Sequence, residues 1–164
     1  MTGMRVRDAT PEDAAAICRI YNPYVADTVV TFEHDAVPAA DMAARIREVR
    51  TGYPWLVAEA QGEVAGYAYA SRWRARAAYD QTAETTIYLD PVAQRRGIAY
   101  PLYVALLDAL RAAGMHAAIG CIALPNEASV ALHEKCGFRK VGHFPEVGRK
   151  FDRWVDVGFW QIVL

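Results

Sequence analysis

The chain has 164 residues, 54% of them hydrophobic and 23% charged, which suits one packed domain over residues 1–164 and excludes a disordered tail. Eighteen basic and nineteen acidic residues leave a formal net charge of -1, so no overall field exists to hold nucleic acid or an anionic membrane. No apolar run reaches the roughly 20 residues that span a bilayer, the first residues lack a signal-peptide core, and three scattered cysteines suggest neither a disulfide framework nor a zinc site; the expectation is a reduced, cytoplasmic protein without a metal.

Val6 ends a short first strand. Thr10-Pro11-Glu12-Asp13 then reads as a helix start, with a capping hydroxyl, a proline at the first helical position and acids at the positive helix end. Ala14, Ile17, Ile20 and Tyr21 recur at helical spacing, and Asn22-Pro23 predicts the stop. Residues 29–32 are β-prone but short. A second helix is predicted over residues 38–50, with Met42, Ile46 and Val49 inward and Gly52 past its end. The period then changes. Residues 55–58 and 64–70 predict two strands about a Gln61-Gly62 hairpin turn, followed by a basic, aromatic stretch over residues 72–79. Residues 84–89 predict the next strand, which Asp90-Pro91 ends. Leu102, Leu106, Ala109 and Leu110 mark a helix closed by Gly114. Residues 117–123 form an apolar strand, residues 127–135 a short helix with Gly137 as its stop, and residues 139–144 and 154–164 the last strands. Tight turns between the early strands favour antiparallel pairing, and the later strand-helix-strand unit favours a parallel or splayed pair. The expected fold is a mixed α/β sheet flanked by helices.

The segment Gln94-Arg95-Arg96-Gly97-Ile98-Ala99 lies between a predicted strand and a predicted helix. A helix start offers unpaired backbone N–H groups and the positive end of the dipole. Gly97 and Ala99 are small enough for a bulky anion to approach, and Arg95 and Arg96 add charge. The six residues fit a phosphate cradle and also an ordinary loop with two solvated arginines. No Gly-Lys-Ser/Thr follows, so this is not a P-loop, and it lacks the third glycine of a Rossmann fingerprint. Glu84 reads either as a general base or as an exposed strand glutamate, and His133 as a proton carrier or a helix cap. Tyr103 is a donor candidate or a core aromatic. Arg72, Arg74 and Arg76 alternate, so an extended chain places them on one side, where arginine forks suit a carboxylate or phosphinate. Cys121 and Cys136 read as small core residues, against a route through a cysteine nucleophile.

Taken with the segments that follow, the pattern becomes specific. Residues 94–99 are similar to the acetyl-coenzyme A pyrophosphate loop of the GCN5-related N-acetyltransferases, Arg/Gln-x-x-Gly-x-Gly/Ala, and residues 126–138 resemble the second cofactor segment of that superfamily. Four stretches resemble the phosphinothricin and methionine sulfone or sulfoximine acetyltransferase subgroup. These are Ala75-Arg76-Ala77-Ala78-Tyr79-Asp80, Glu84-Thr85-Thr86-Ile87-Tyr88, residues 124–134, and Trp154-Val155-Asp156-Val157-Gly158-Phe159-Trp160-Gln161. Ala99 departs from the glycine of many relatives, and Pro101 falls early in the helix, where a missing N–H costs little. The resemblance implies a mostly antiparallel sheet with a splayed parallel pair, acetyl-coenzyme A as co-substrate, and direct acetyl transfer to the amine of a small amino-acid-like acceptor. It implies Glu84, His133 and Tyr103 as catalytic candidates. The implied cofactor contacts are the backbone of Ile87, Tyr88 and Leu89 in a bulged strand, then Arg95, Arg96, Gly97, Ile98, Ala99, Tyr100, Asn126 and Lys135. Phe32 and Glu33, with Arg74, Arg76 and Tyr79, would face the acceptor. Rival readings are a non-catalytic acyl-coenzyme A-binding domain and an acetyltransferase for peptide N-termini or polyamines. The aromatic load of Trp154, Phe159 and Trp160 near the C-terminus suggests a homodimer.

Overall fold

The computed structural model describes residues 3–164. In chain order the elements are β1 (Arg5–Asp8), α1 (Ala14–Asp27), α2 (Ala39–Arg50), β2 (Trp55–Ala60), β3 (Glu63–Arg72), β4 (Thr82–Leu89), α3 (Ala99–Ala112), β5 (Ala117–Leu124), α4 (Glu127–Lys135), β6 (Arg139–Lys150) and β7 (Arg153–Val163). The seven strands form one sheet in the order β1-β2-β3-β4-β5-β7-β6. Its pairs are antiparallel except β4 with β5, which are parallel, as the sequence pattern predicted.

The continuous apolar run of β2 is explained by burial on both faces. Leu56 and Ala58 join a core with Leu102, Leu106 and Leu110 of α3, whereas Trp55 and Val57 join a second core with Ile17 and Ile20 of α1 and Ile46 of α2. Successive strand residues point to opposite faces, so α3 covers one side of the sheet and α1 with α2 the other.

Three elements differ from the sequence expectation. Helix α1 does not stop at Pro23 but continues to Asp27. The lost N–H bond is outweighed by tertiary contacts on both sides of it: before the proline Asn22 Nδ2 donates to Val37 O at 3.0 Å, and after it Tyr24 Oη donates to Leu89 O at 2.6 Å and Val25 is buried. Strand β6 runs past Phe144 to Lys150, because Pro145 sits on the outer strand within a register shift between Phe144 and Gly148. Phe151 and Asp152 then close the β6–β7 hairpin with φ of 52° and 57°, a two-residue turn whose twist matches the strands. The stretch after β3 is not extended. Arg72 Nη2 donates to Ala75 O (2.6 Å) and Asp80 Oδ1 (3.2 Å), folding the chain into a short turn at Ala77–Tyr79. The three arginines therefore do not share one side.

Candidate active site

Strands β4 and β5 pair only from Thr82 with Ala117 to Thr85 with Gly120. Beyond that they part, and a cavity of about 660 Å³ opens between them. Its walls include Glu84 to Leu89 of β4, Cys121 and Ile122 of β5, Asn126 and His133 beside and on α4, Arg95 and Ala99 near the start of α3, and Thr31 and Phe32 from the loop after α1. Strand β4 carries no bulge. It stays in continuous register with β3 from Arg72–Ala83 to Gly66–Leu89, and the register shift lies instead between β2 and β3. The free main-chain groups have another cause. Asp90 N–H bonds to Ala65 O, so the alternation of the ladder turns the N–H and C=O of Ile87 and Leu89 away from β3, into the gap. Tyr24 Oη takes up Leu89 O.

Glu84 is half-buried on this wall. Burial raises its pKa above the ordinary glutamate value, while a hydrogen bond from Cys121 and the positive charge of Arg74 pull it back. Cys121 is exposed, not a core residue, because its β5 position faces the gap where β4 has departed. Although the residue is open to the gap, partial desolvation of its sulfur against the walls and the neighbouring Glu84 carboxylate push the thiol up to about 12, so it is a protonated donor rather than a nucleophile. Arg74 stacks on Trp73, its guanidinium carbon 4.8 Å from the ring centroid. Arg74, Arg76 and Tyr79 are all exposed and none of them lines the cavity, contrary to the expected acceptor contacts.

His133 reaches the cavity wall but is 4% exposed. Its Nδ1–H donates to Ser129 O at 2.7 Å, which leaves Nε2 to accept from Tyr103 Oη at 2.9 Å. Tyr103 in turn accepts from Thr85 Oγ1 at 2.7 Å. Every link of this chain is used, and burial lowers the pKa of His133, so the imidazole is neutral. Tyr103 is fully buried and stacked on Phe138, with ring centroids 5.5 Å apart, and does not reach the cavity. The arrangement depends on Gly120, where a Cβ would overlap His133 Nε2. Gly120→Ala is expected to destabilise the protein by about 1–3 kcal/mol, the usual cost of overpacking, read by chemical denaturation.

The loop before α3 has the shape of an anion cradle. Arg95 and Gly97 adopt left-handed φ of 64° and 75°, which curls the backbone and turns N–H groups to one side. Nothing lies within 4 Å of a Cβ built on Gly97, so the space in front of it is open. Ile98 is buried and anchors the loop, and no side chain caps α3, so its first N–H groups are available. Gln94 Nε2 donates to Tyr24 Oη at 3.0 Å, tying the loop to α1. Arg96 is exposed. Tyr100, on the first turn, stacks under Lys135 Nζ at 4.5 Å, which brings the end of α4 beside the start of α3. Asn126 serves both readings: it caps α4 by accepting from Ser129 N at 3.2 Å, and it lines the cavity. Glu33 does not line the cavity; it pairs with Arg45 and accepts from Tyr21 Oη. Sequence reasoning missed Tyr24, Thr85, Ser129 and Cys121, whose roles come from contacts distant in the chain.

The open loop at the start of α3 and the splayed β4–β5 pair thus border one cavity. Residues 6–158 match the acetyltransferase (GNAT) domain, and the chain belongs to that family of N-acetyltransferases. It is 41% identical, over 96% of its length and 86% of the relative, to a phosphinothricin N-acetyltransferase of Streptomyces viridochromogenes. It is 37% identical, over 97% of its length and 94% of the relative, to an L-methionine sulfoximine/L-methionine sulfone acetyltransferase of Pseudomonas aeruginosa. A GNAT superfamily phosphinothricin acetyltransferase from Sinorhizobium meliloti, solved with acetyl-coenzyme A, superposes with a TM-score of 0.94 at 38% identity, covering 100% of this chain and 89% of that one.

Proposed function

We propose that this protein moves the acetyl group of acetyl-coenzyme A directly onto the primary amine of a small amino acid of the phosphinothricin, methionine sulfoximine or methionine sulfone type. The observation that carries the reading is Glu84, a carboxylate of raised basicity on the wall of the strand gap. The acceptor amine arrives mostly as ammonium, and Glu84 takes its proton directly or through a water. Acetyl-coenzyme A supplies the activated thioester. The cradle at residues 95–100 and Lys135 suit its phosphates, while Asn126 and the outward main chain of Ile87 and Leu89 suit its arm; the main chain of Tyr88 faces β3 and only its position on the cavity wall favours contact. The protonated Cys121 orients Glu84 rather than carrying acetyl. His133 and Tyr103 tie β4, through Thr85, to α3 and α4 and so keep the wall of the gap in place. Arg74 stands near enough to Glu84 to lower its pKa, and its positive charge would favour an acidic group on the acceptor; nothing in the geometry brings Arg76 or Tyr79 to the acceptor.

We read residues 1–164 as one domain working in the cytoplasm, a compartment suited to its free cysteines. Trp160 is buried within its own chain and Phe159 packs on Phe144 and Trp73, so the support for a homodimer is the exposure of Val141, Phe144, Phe151 and Trp154 on the β6–β7 hairpin. The function is tested by an acceptor panel with acetyl-coenzyme A, read by free thiol release. Turnover is expected with phosphinothricin, methionine sulfoximine or methionine sulfone. Turnover confined to peptide N-termini or polyamines would replace this acceptor class.

A further inference from the structure

The loop over residues 28–35 has no helix or strand of its own, yet it brings Thr31 and Phe32 to the cavity wall. Its position must come from its neighbours. On one side Tyr21 Oη meets Thr31 Oγ1 at 2.6 Å. On the other side lies the far end of the β6–β7 hairpin, more than a hundred residues away in the chain. There Lys150 is 1% exposed, and its Nζ donates to Thr31 O at 2.8 Å. A buried ammonium is costly unless it is held by partners, and a methionine would fill the same space without that cost. Among the described residues its hydrogen-bond acceptor is the Thr31 carbonyl, with the Phe151 ring centroid 5.1 Å away and the Glu33 carboxylate as a favourable nearby charge. Two residues earlier, Gly148 lies against the Phe32 ring so closely that a Cβ there would overlap ring atoms. The hairpin therefore fixes the loop twice, by a charge on Thr31 and by a missing side chain under Phe32.

We propose that Lys150 and Gly148 are specificity-determining positioning residues, which set how far Phe32 stands into the acceptor end of the cavity. This rests on the acceptor reading given above, in which Phe32 lines the substrate. Neither residue lines the cavity, so each acts through the loop. Losing the ammonium frees residues 28–35 and weakens acceptor binding. Adding a Cβ at position 148 pushes the ring aside and changes the size of acceptor that fits.

The test compares Lys150→Met and Gly148→Ala with the wild type. Amide hydrogen exchange reports the loop without reference to activity, and steady-state kinetics use alanine as a short acceptor and methionine sulfone as a long one. In Lys150→Met, exchange over residues 28–35 is expected to rise about tenfold, the size of a lost charge-assisted hydrogen bond. KM for methionine sulfone should rise by a similar factor, while KM for acetyl-coenzyme A stays unchanged. In Gly148→Ala, the ratio of kcat/KM between the two acceptors should shift. Unaltered loop exchange in Lys150→Met, or an unaltered acceptor ratio in Gly148→Ala, overturns the proposal. A wild type that acetylates neither amino acid overturns the acceptor reading itself.

Discussion

Glu84→Gln is expected to lower kcat at neutral pH by about 10²–10⁴-fold, the usual worth of general-base help, with acetyl-coenzyme A binding intact. The substitution keeps the size of the side chain and removes its basicity. Raising the pH should restore part of the rate, since more of the amine is then already neutral. The wild type carries a further signature. Burial raises the folded pKa of Glu84, so protonation switches the base off at a pH above the ordinary glutamate range. The acid limb of kcat/KM should stand there in the wild type and be absent from the variant. The sign for stability is opposite to that of an ion-paired carboxylate. A carboxyl group whose folded pKa is raised opposes folding as pH climbs through its unfolded value to its folded value. Glu84→Gln should therefore unfold no more easily than the wild type at pH 7. Stepped pH kinetics and a denaturation curve check both halves. Near-normal turnover at pH 7 with an unaltered pH profile would make Glu84 a scaffold residue.

Gly97→Glu carries the second large effect, the loss of measurable acetyl-coenzyme A binding with the fold retained. The backbone at Gly97 has a φ of 75°, where a residue with a Cβ is strained by about 1–2 kcal/mol. That strain is tolerable for the fold, because a Cβ at this position meets no atom within 4 Å. The same open space is where a pyrophosphate would lie against the start of α3. A carboxylate there meets the ligand with like charge and fills its place. Calorimetry with acetyl-coenzyme A reads the affinity, and circular dichroism reads the fold. Unchanged affinity would remove the phosphate role from residues 94–99.

Much of this architecture was legible in the sequence where local signals and packing agree. The Gln61-Gly62 turn, the apolar run of β2 and the leucine stripe of α3 each specified their element, because burial follows the same period as the pattern. The turn before α3 was legible because glycine at position 97, with its φ of 75°, is a backbone requirement written into residue type. Where local and long-range effects conflict, the sequence misled. Pro23 signals a stop, but Tyr24 and Val25 gain more from the sheet than the helix loses. Cys121 lies in an apolar run, yet it faces the gap, since nothing local to β5 records that β4 turns away after Thr85. His133 was readable as a proton carrier by type. Its neutral, doubly bonded state depends on Tyr103, thirty residues away in the chain. The arginine alternation after β3 assumed an extended backbone, which the Arg72 contacts to Ala75 and Asp80 replace by a turn.

Direct transfer of acetyl from acetyl-coenzyme A to the amine of a small amino acid is tested by mass spectrometry of both protein and small molecules. The protein is mixed first with acetyl-coenzyme A alone and then with methionine sulfone. The protein mass should stay unchanged throughout, because the Cys121 thiol stays protonated, and N-acetyl methionine sulfone should appear in equal amount with free coenzyme A thiol. An acetylated protein that passes its acetyl group on when the amino acid is added, or thiol release with no N-acetylated amino acid, would contradict it.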